Sequence, residues 1–472
     1  MTKKNKSFDL IVIGAGPGGY VAAIRAAQLG LSVACVDKRP ELGGTCLNEG
    51  CIPSKALLQS SFKYEEALTH LSDHGVDVGK PKLNLKKMIE RKNKVVEDLT
   101  KGISFLFKKN KITFVEGLAS FESATSLKIT KSDGATDQIE ASKILIATGS
   151  VPTDLPGIEI DEKQVVSSTG ALMLDKVPDH LIVVGGGYIG LEMGSVWRRL
   201  GSKVTVVEYF DSIVPALDRE VATSLYKSLK TQGIEFQLST KVTSVKKQKK
   251  GSLEVHLEPA EGGKVQKVAC DVLLSCAGRK PYTDTLGLDK IGLSLTDKGF
   301  LEVNDSFETA VQGVYAIGDV IGGAMLAHKA EEEGVAAVEG MVGQKPHINY
   351  QAIPAVIYTH PEVASVGKTQ EQLTSEGADF NVGKFPFTAN GRARANGDME
   401  GFVKILADKK TDEIYGVHIL HAEAGTMIAE AALALEYRAS SEDIARTSHA
   451  HPTVNESMKE AALSVLKRTI HV

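Results

Sequence analysis

The sequence predicts an α/β protein in which one doubly wound unit is built twice and then followed by a mixed segment of strands and helices. Two observations predict it. Asp9-Leu-Ile-Val-Ile-Gly-Ala-Gly-Pro-Gly-Gly19 recurs as His180-Leu-Ile-Val-Val-Gly-Gly-Gly-Tyr-Ile-Gly190, and the correspondence continues without a gap. Gly14 matches Gly185, Gly16 matches Gly187 and Gly19 matches Gly190, then Gly30 matches Gly201 and Asp37 matches Glu208, all at one fixed offset. In each copy an apolar strand precedes the glycines and a helix-like segment follows them. A second strand then ends in a carboxylate about 20 residues on.

Each glycine has a separate task. The first permits the tight strand-to-helix turn, the second lets the backbone approach a pyrophosphate, and the third lets the helix pack close to the sheet. The helix start presents free N–H groups and the positive end of its dipole to phosphate. Asp37 and Glu208 are placed to accept hydrogen bonds from ribose hydroxyls. Both copies therefore read as Rossmann-like dinucleotide-binding domains, and two such sites imply electron transfer between two nucleotides.

Immediately after the first copy lies Gly43-Gly-Thr-Cys-Leu-Asn-Glu-Gly-Cys-Ile-Pro-Ser-Lys55. Cys46 and Cys51 could form a structural disulfide, but so short a loop returns only about 2 kcal/mol by chain entropy, and intracellular chains seldom keep disulfides for stability. A close pair beside a nucleotide fingerprint favours redox exchange. Cys35, Cys270 and Cys276 lie in or beside apolar strand-like runs and read as buried small hydrophobes.

Residues 56–110 have helical periodicity, and the lysines of Leu83–Leu99 read as a solvated face. Strand-like runs follow at Ile112–Glu116 and Lys143–Ala147. The Pro-containing connector Val151–Gly157 reads as a hinge, and Gly278-Arg-Lys-Pro281 as a closing turn. Gly313–Val320 reads as a strand finishing at a carboxylate, Asp319. Beyond Pro346, β-like runs alternate with an Ala-rich helix, Ala422–Ala439, and a last helix from about Val454 to Arg468. The expected domains are 1–150, 151–279, 280–347 and 348–472.

The 472 residues suffice for several cores, and 42% hydrophobic with 24% charged residues is ordinary for a globular protein. A net charge of -4 gives no reason to expect nucleic acid. No apolar run reaches the ~18 residues of a membrane span. The basic opening Met1–Ser7 reads as a short solvated tail without a leader, which favours the bacterial cytoplasm, or the mitochondrial matrix if a leader has been removed.

Together these residues resemble the FAD-carrying pyridine nucleotide-disulfide oxidoreductases, and within them the branch that oxidises dihydrolipoamide. The resemblance runs from Asp9 to Glu456, through the cysteine motif, Ala147-Thr-Gly149, Gly318-Asp319, Met325-Leu-Ala-His328 and His449-Ala-His-Pro-Thr-Val-Asn-Glu456. It implies a central domain completing the FAD site and a C-terminal α+β dimerisation domain. The first fingerprint would hold FAD through Gly14, Gly16, Gly19, Asp37, Lys55, Gly117, Thr148, Gly149, Asp319, Met325 and Ala327. The second would hold NAD through Gly185, Gly187, Gly190, Glu192, Glu208, Val242 and Gly278, with Glu192 paired to Lys55 beside the nicotinamide. The family often has Glu where Asp37 stands, so a shorter carboxylate must reach the ribose.

Charge selects the nicotinamide. Tyr209, Phe210 and Asp211 follow Glu208, and no basic residue comes before Arg219, so a 2′-phosphate would be repelled and NAD is favoured over NADP. This separates the chain from glutathione-reductase-like enzymes, which are the alternative disulfide reductases. A flavoprotein with a mainly structural role in a complex is the other alternative, and the intact cysteine and histidine motifs oppose it. A thiol of ordinary pKa about 8.5 needs a base to attack a disulfide at neutral pH. His451 is the candidate base and Glu456 its orienting acceptor, across a helix start. His449 reads as structural, His360 as serving a turn or interface, and no metal-ligand set accompanies them.

By the same resemblance, substrate thiolate attacks Cys46 and Cys51 passes electrons on to the flavin. The His451–Glu456 pair would reach the cysteines of the other subunit of a homodimer. The lipoyl group would arrive on an acyltransferase subunit of a 2-oxoacid dehydrogenase complex or on a lipoyl carrier protein, as in glycine cleavage.

Overall fold

A computed structural model describes residues 6–249 and 251–472, so the basic tail expected at Met1–Ser7 lies almost wholly outside the described residues. The chain divides into two compact units, the first comprising Met1–Leu57, Asn84–Thr153 and Gly278–Ile348, the second Leu58–Leu83, Asp154–Ala277 and Asn349–Val472.

In the first unit the strand Lys6–Ile13 is central, with Val33–Asp37 and Thr136–Ile146 parallel on either side. Thr113–Glu116 extends one edge, and Val314–Ala316 also pairs parallel with Thr136–Ile146. An antiparallel hairpin, Leu118–Ser123 with Ser126–Thr130, completes a seven-stranded sheet among the described residues. The inner strands are buried on both faces, so they read as continuous apolar runs instead of alternating ones: Leu10, Ile11 and Val12 are each 0% exposed. The helix Pro17–Gln28 packs one face with Ala22, Ala23 and Ala26, small enough to let the helix Ala327–Met341 lie close.

The second unit repeats the parallel core in the strand order Ile234–Gln237, Lys203–Val207, His180–Val184, Val272–Ser275, Val165–Val166. A three-stranded antiparallel sheet, Thr240–Lys247, Leu253–Pro259 and Gln266–Cys270, packs beside it. The remainder is a five-stranded antiparallel sheet from Ala355–Ile357 to Phe380–Pro386. It is covered by the helices Ala424–Glu436 and Glu456–Val465 over a core of Val403, Ile405, Val417, Met427 and Met458.

Several sequence expectations are corrected. Arg279–Pro281, expected as a turn, is a short strand antiparallel to Ser150–Pro152. The helix carrying the second cysteine starts at Cys51, not near residue 56, because Pro53 falls in the first turn, where a missing N–H costs nothing. Lys92, assigned to a solvated face, is 2% exposed, and burial lowers its pKa. Cys276 is half-buried, while Cys35 and Cys270 are buried as expected.

Candidate functional site

The first glycine loop is shaped for a phosphate. Gly14 has φ +104 and Gly185 has φ +108, both left-handed, and a Cβ on either would collide with the carbonyl of the neighbouring strand end, Ala147 or Cys276. A Cβ on Gly19 would strike the Gly14 carbonyl, and one on Gly190 the Gly185 carbonyl. At Gly16 and Gly187, by contrast, a Cβ would meet nothing within 4 Å. The second glycine of each loop thus opens onto free space in front of a helix start. Neither helix, Pro17–Gln28 nor Tyr188–Arg199, has a side-chain cap, so each presents its first N–H groups to that space.

The carboxylates repeat as closely as the glycines. Asp37 Oδ2 accepts from Ala15 N at 2.8 Å and Oδ1 from Arg39 N at 3.0 Å. Glu208 Oε2 accepts from Gly186 N at 2.6 Å and Oε1 from Phe210 N at 2.9 Å. Each carboxylate is oriented by its own loop, with lone pairs left for ribose hydroxyls. These cradles fit FAD at the first loop and NAD at the second. Arg219, the first basic residue after Glu208, pairs with Asp211 at 2.8 Å.

The other predicted first-loop residues converge within the first unit. Gly117 N donates to the Asp37 carbonyl at 2.8 Å. Thr148 Oγ1 donates to the Tyr282 carbonyl at 2.6 Å, and Tyr282 N to the Gly149 carbonyl at 2.9 Å. Asp319 accepts from Ser150 Oγ at 2.5 Å, and Ser150 is itself held by Arg279. Ala327 opens the helix Ala327–Met341, with half-buried Met325 just before it. In the second unit, Glu192 is buried and accepts from Tyr358 N at 3.1 Å. Val242 lies half-buried at a bulge of its strand, and Gly278, in the first unit, accepts from Thr153 N.

Cys46 sits on the short helix Gly44–Glu49 and Cys51 begins the helix Cys51–Thr69. The two are not electrostatically alike. Hydrogen bonding to Cys51, burial, and the nearby charges of Cys51 and Glu331 push the Cys46 thiol far above the usual range, with Lys55 opposing. Cys51 is exposed at the start of a 19-residue helix, where the dipole favours a thiolate.

His451 and Glu456 meet as the spacing suggested. His451 Nδ1 lies 2.9 Å from Glu456 Oε1, and Glu456 Oε2 accepts from Thr453 N at 3.0 Å. The His451–Pro452 peptide is cis. A carboxylate at Nδ1 fixes the proton there and leaves Nε2 as the basic nitrogen of a ring whose side chain is 78% exposed. Burial raises the Glu456 pKa, but the His451 hydrogen bond and the Thr453 N–H lower it further, so the acceptor is ionised.

Sequence reasoning missed the residues that hold this machinery. Buried Asn390 donates to the Thr453 carbonyl at 3.1 Å and to Ser457 Oγ at 3.0 Å, fixing the turn between His451 and Glu456. Buried Glu333 accepts from Gly318 N at 2.7 Å and pairs with Lys329 at 2.8 Å, anchoring the Asp319 loop. Glu331 and Tyr20 flank Cys46, and burial with the Glu331 and Cys46 charges pushes the Tyr20 hydroxyl up to about 12. Apart from the Lys329–Glu333 pair, which is one helical turn apart, these partners are remote in sequence and no local pattern announces them.

A flavin cradle, a nicotinamide cradle and an asymmetric cysteine pair define the class, and the comparisons agree. Residues 8–334 match the pyridine nucleotide-disulphide oxidoreductase family and residues 353–462 match its dimerisation domain. The chain belongs to the pyridine nucleotide-disulphide oxidoreductases. Among curated relatives, mitochondrial dihydrolipoyl dehydrogenase 1 of Arabidopsis thaliana is 54% identical, covering 98% of this chain and 91% of the relative. The mitochondrial dihydrolipoyl dehydrogenase of Homo sapiens is 52% identical, with 97% and 90% covered. A leghemoglobin reductase of Vigna unguiculata is 55% identical, with 97% and 87% covered. Of solved structures, LpdA from Mycobacterium tuberculosis superposes with TM-score 0.88 at 27% identity over 97% of this chain and 99% of its own. The Cu(II) complex of the HOCl-induced flavoprotein disulfide reductase RclA from Escherichia coli gives 0.87 at 28%, with the same coverage.

Proposed function

We propose that this chain oxidises protein-bound dihydrolipoamide to lipoamide, with FAD as bound cofactor and NAD as the electron-accepting substrate. The observation that carries it is the pairing of two asymmetric cysteines behind the first glycine loop with a histidine whose tautomer is fixed by a carboxylate. Lipoyl-specific relatives above half identity over nearly the whole chain support the substrate.

In this reading His451 Nε2 takes a proton from one thiol of the substrate, and Glu456 stabilises the imidazolium through Nδ1. The resulting thiolate attacks Cys46 Sγ, the S–S bond to Cys51 breaks, and Cys51 leaves as thiolate at its helix start. The second substrate thiol then displaces Cys46 Sγ, and its proton passes to the departing Cys46, whose surroundings disfavour the anion. Lipoamide departs, and the two electrons stay on the cysteine pair. Bound FAD supplies the carrier that conveys them to NAD. Lys55 is assigned to the flavin edge and Glu192 to the nicotinamide side.

The assigned domains are 1–150 and 280–347 for FAD, 151–279 for NAD and 348–472 for the dimer. In the dimer, the Cys46–Cys51 pair would be served by the partner subunit's His451. The lipoyl group arrives on an acyltransferase subunit of a 2-oxoacid dehydrogenase complex or on a lipoyl carrier protein. The compartment is the bacterial cytoplasm, or the mitochondrial matrix, the plant and mammalian relatives being named mitochondrial. No helix of the described residues is long and apolar enough to cross a membrane.

The deciding experiment adds dihydrolipoamide and either NAD or NADP to the purified flavoprotein and follows reduced nicotinamide. Rapid formation of NADH, with NADPH formation far slower, is expected. A folded yellow protein that forms neither sinks the assignment and points to another disulfide as substrate.

A further inference from the structure

We propose that Glu430 is the positioning residue of the acid–base loop, holding both of its ends with one carboxylate; this rests on His451 and Glu456 being the acid–base pair. Glu430 projects from the helix Ala424–Glu436. Its Oε1 lies 2.7 Å from His449 Nε2, and its Oε2 accepts from Asn455 Nδ2 at 2.9 Å. His449 stands two residues before His451, and Asn455 immediately precedes Glu456 at the head of its helix. A single rigid anchor thus sets the relative position of the base and its orienting acceptor.

The His449 arm is charged, by geometry. Its Nδ1 lies 3.0 Å from the Thr447 carbonyl while Nε2 faces Glu430, so both ring nitrogens meet acceptors only. Only the imidazolium, with two N–H donors, satisfies both. The ring's side chain is 6% exposed, so its bond to Glu430 is a largely desolvated, charge-assisted one, which is stronger than a neutral pair. Consistent with this, the Glu430 hydrogen bond raises the His449 pKa against the opposing effect of burial. Asn390 fixes the middle of the loop through Thr453 and Ser457, leaving the ends to Glu430. His449 therefore has a use beside the redox site without touching substrate.

The test compares Glu430→Gln and Asn455→Ala with His451→Gln in the FAD-loaded enzyme. Glu430→Gln is expected to lower kcat for dihydrolipoamide oxidation about 10- to 100-fold, as displacement of a catalytic group by about 1 Å does. KM for dihydrolipoamide should stay within about twofold, because no binding contact is removed. Reduction of an artificial dye by NADH, which bypasses the cysteine pair, should be unchanged. Histidine-selective carbon-13 NMR gives a readout independent of turnover: the His451 ring signals should move in both variants as the ring loses its fixed place against Glu456. Asn455→Ala removes one arm only and decides the matter if Glu430→Gln does not fold. Unchanged kcat and unmoved His451 ring signals overturn the proposal, whereas full turnover in His451→Gln overturns the acid–base reading beneath it.

Discussion

At the residue scale, the chemistry depends on protons being confined to chosen atoms. Glu456 keeps one on His451 Nδ1, and the surroundings of Cys46 keep another on that thiol. His451→Gln should therefore lower kcat for dihydrolipoamide oxidation by roughly 10²- to 10⁴-fold, the usual worth of a general base. Much of the lost rate should return as pH rises into the alkaline range where the substrate thiol ionises without a base. A pH–rate profile of the variant checks both parts, and a flat profile at wild-type rate refutes the role. These residues were legible because their chemistry is local: Cys46 with Cys51 and His451 with Glu456 lie within a few positions of each other. Glu430, Asn390 and Glu331 were not, since each acts on a loop far away in sequence. Cofactor choice is also local. Glu208→Ala should weaken NAD binding, because Gly186 N and Phe210 N lose their shared acceptor and the ribose loses its own. Titration of NAD binding in the variant measures this, and unchanged affinity would place the ribose elsewhere.

At the element scale, the second unit is tied together by a buried charge. Asp218 caps the helix Arg219–Thr231, accepting from Glu220 N at 3.1 Å, and receives Lys404 Nζ from the antiparallel sheet at 2.9 Å. Asp218 is 0% exposed and Lys404 1%. Burial raises the Asp218 pKa, while His418, Lys404 and the Gln370 N–H together lower it further. A carboxylate whose folded pKa is depressed contributes stability that is present above its unfolded pKa. That contribution is lost as pH falls through the folded value. Asp218→Asn should thus cost about 1.5–3 kcal/mol at neutral pH by weakening a charge-assisted bond, since Lys404 keeps Glu220 at 3.2 Å. The gap in melting temperature from wild type should shrink below about pH 4, where aspartate in the unfolded chain begins to protonate. Thermal unfolding across pH tests this, and a gap constant with pH would assign the effect to capping alone. Nothing in the sequence marks Lys404, which stands among the apolar residues Phe402–Ala407 of its strand. The parallel strands were legible because two-sided burial leaves unbroken apolar runs. Arg279–Pro281 was misread because its pairing with Ser150–Pro152 supplies what its own residues do not announce.

At the scale of the whole molecule, the internal repeat explains why one chain can join two nucleotides, and it was visible from spacing alone. The cysteine pair lies in the first unit and the His451–Glu456 pair in the second. Sequence separation allows them to meet within one chain or between two. The dimerisation domain at residues 353–462 makes the second arrangement the one to test. Copies carrying Cys51→Ser and copies carrying His451→Gln can be mixed, unfolded and reassociated with FAD. Each homodimer has a defect at both sites. If cysteines and histidine come from different subunits, each mixed dimer combines both defects at one site and leaves the other intact. Random isologous pairing makes about half of the dimers mixed, so about a quarter of wild-type turnover should return. If each site draws both groups from one chain, every site keeps a defect and no turnover returns. Recovery would also require the lipoyl-bearing partner to reach a site built at the junction of two copies, so that dissociation of the dimer abolishes dihydrolipoamide oxidation while NADH-driven dye reduction persists.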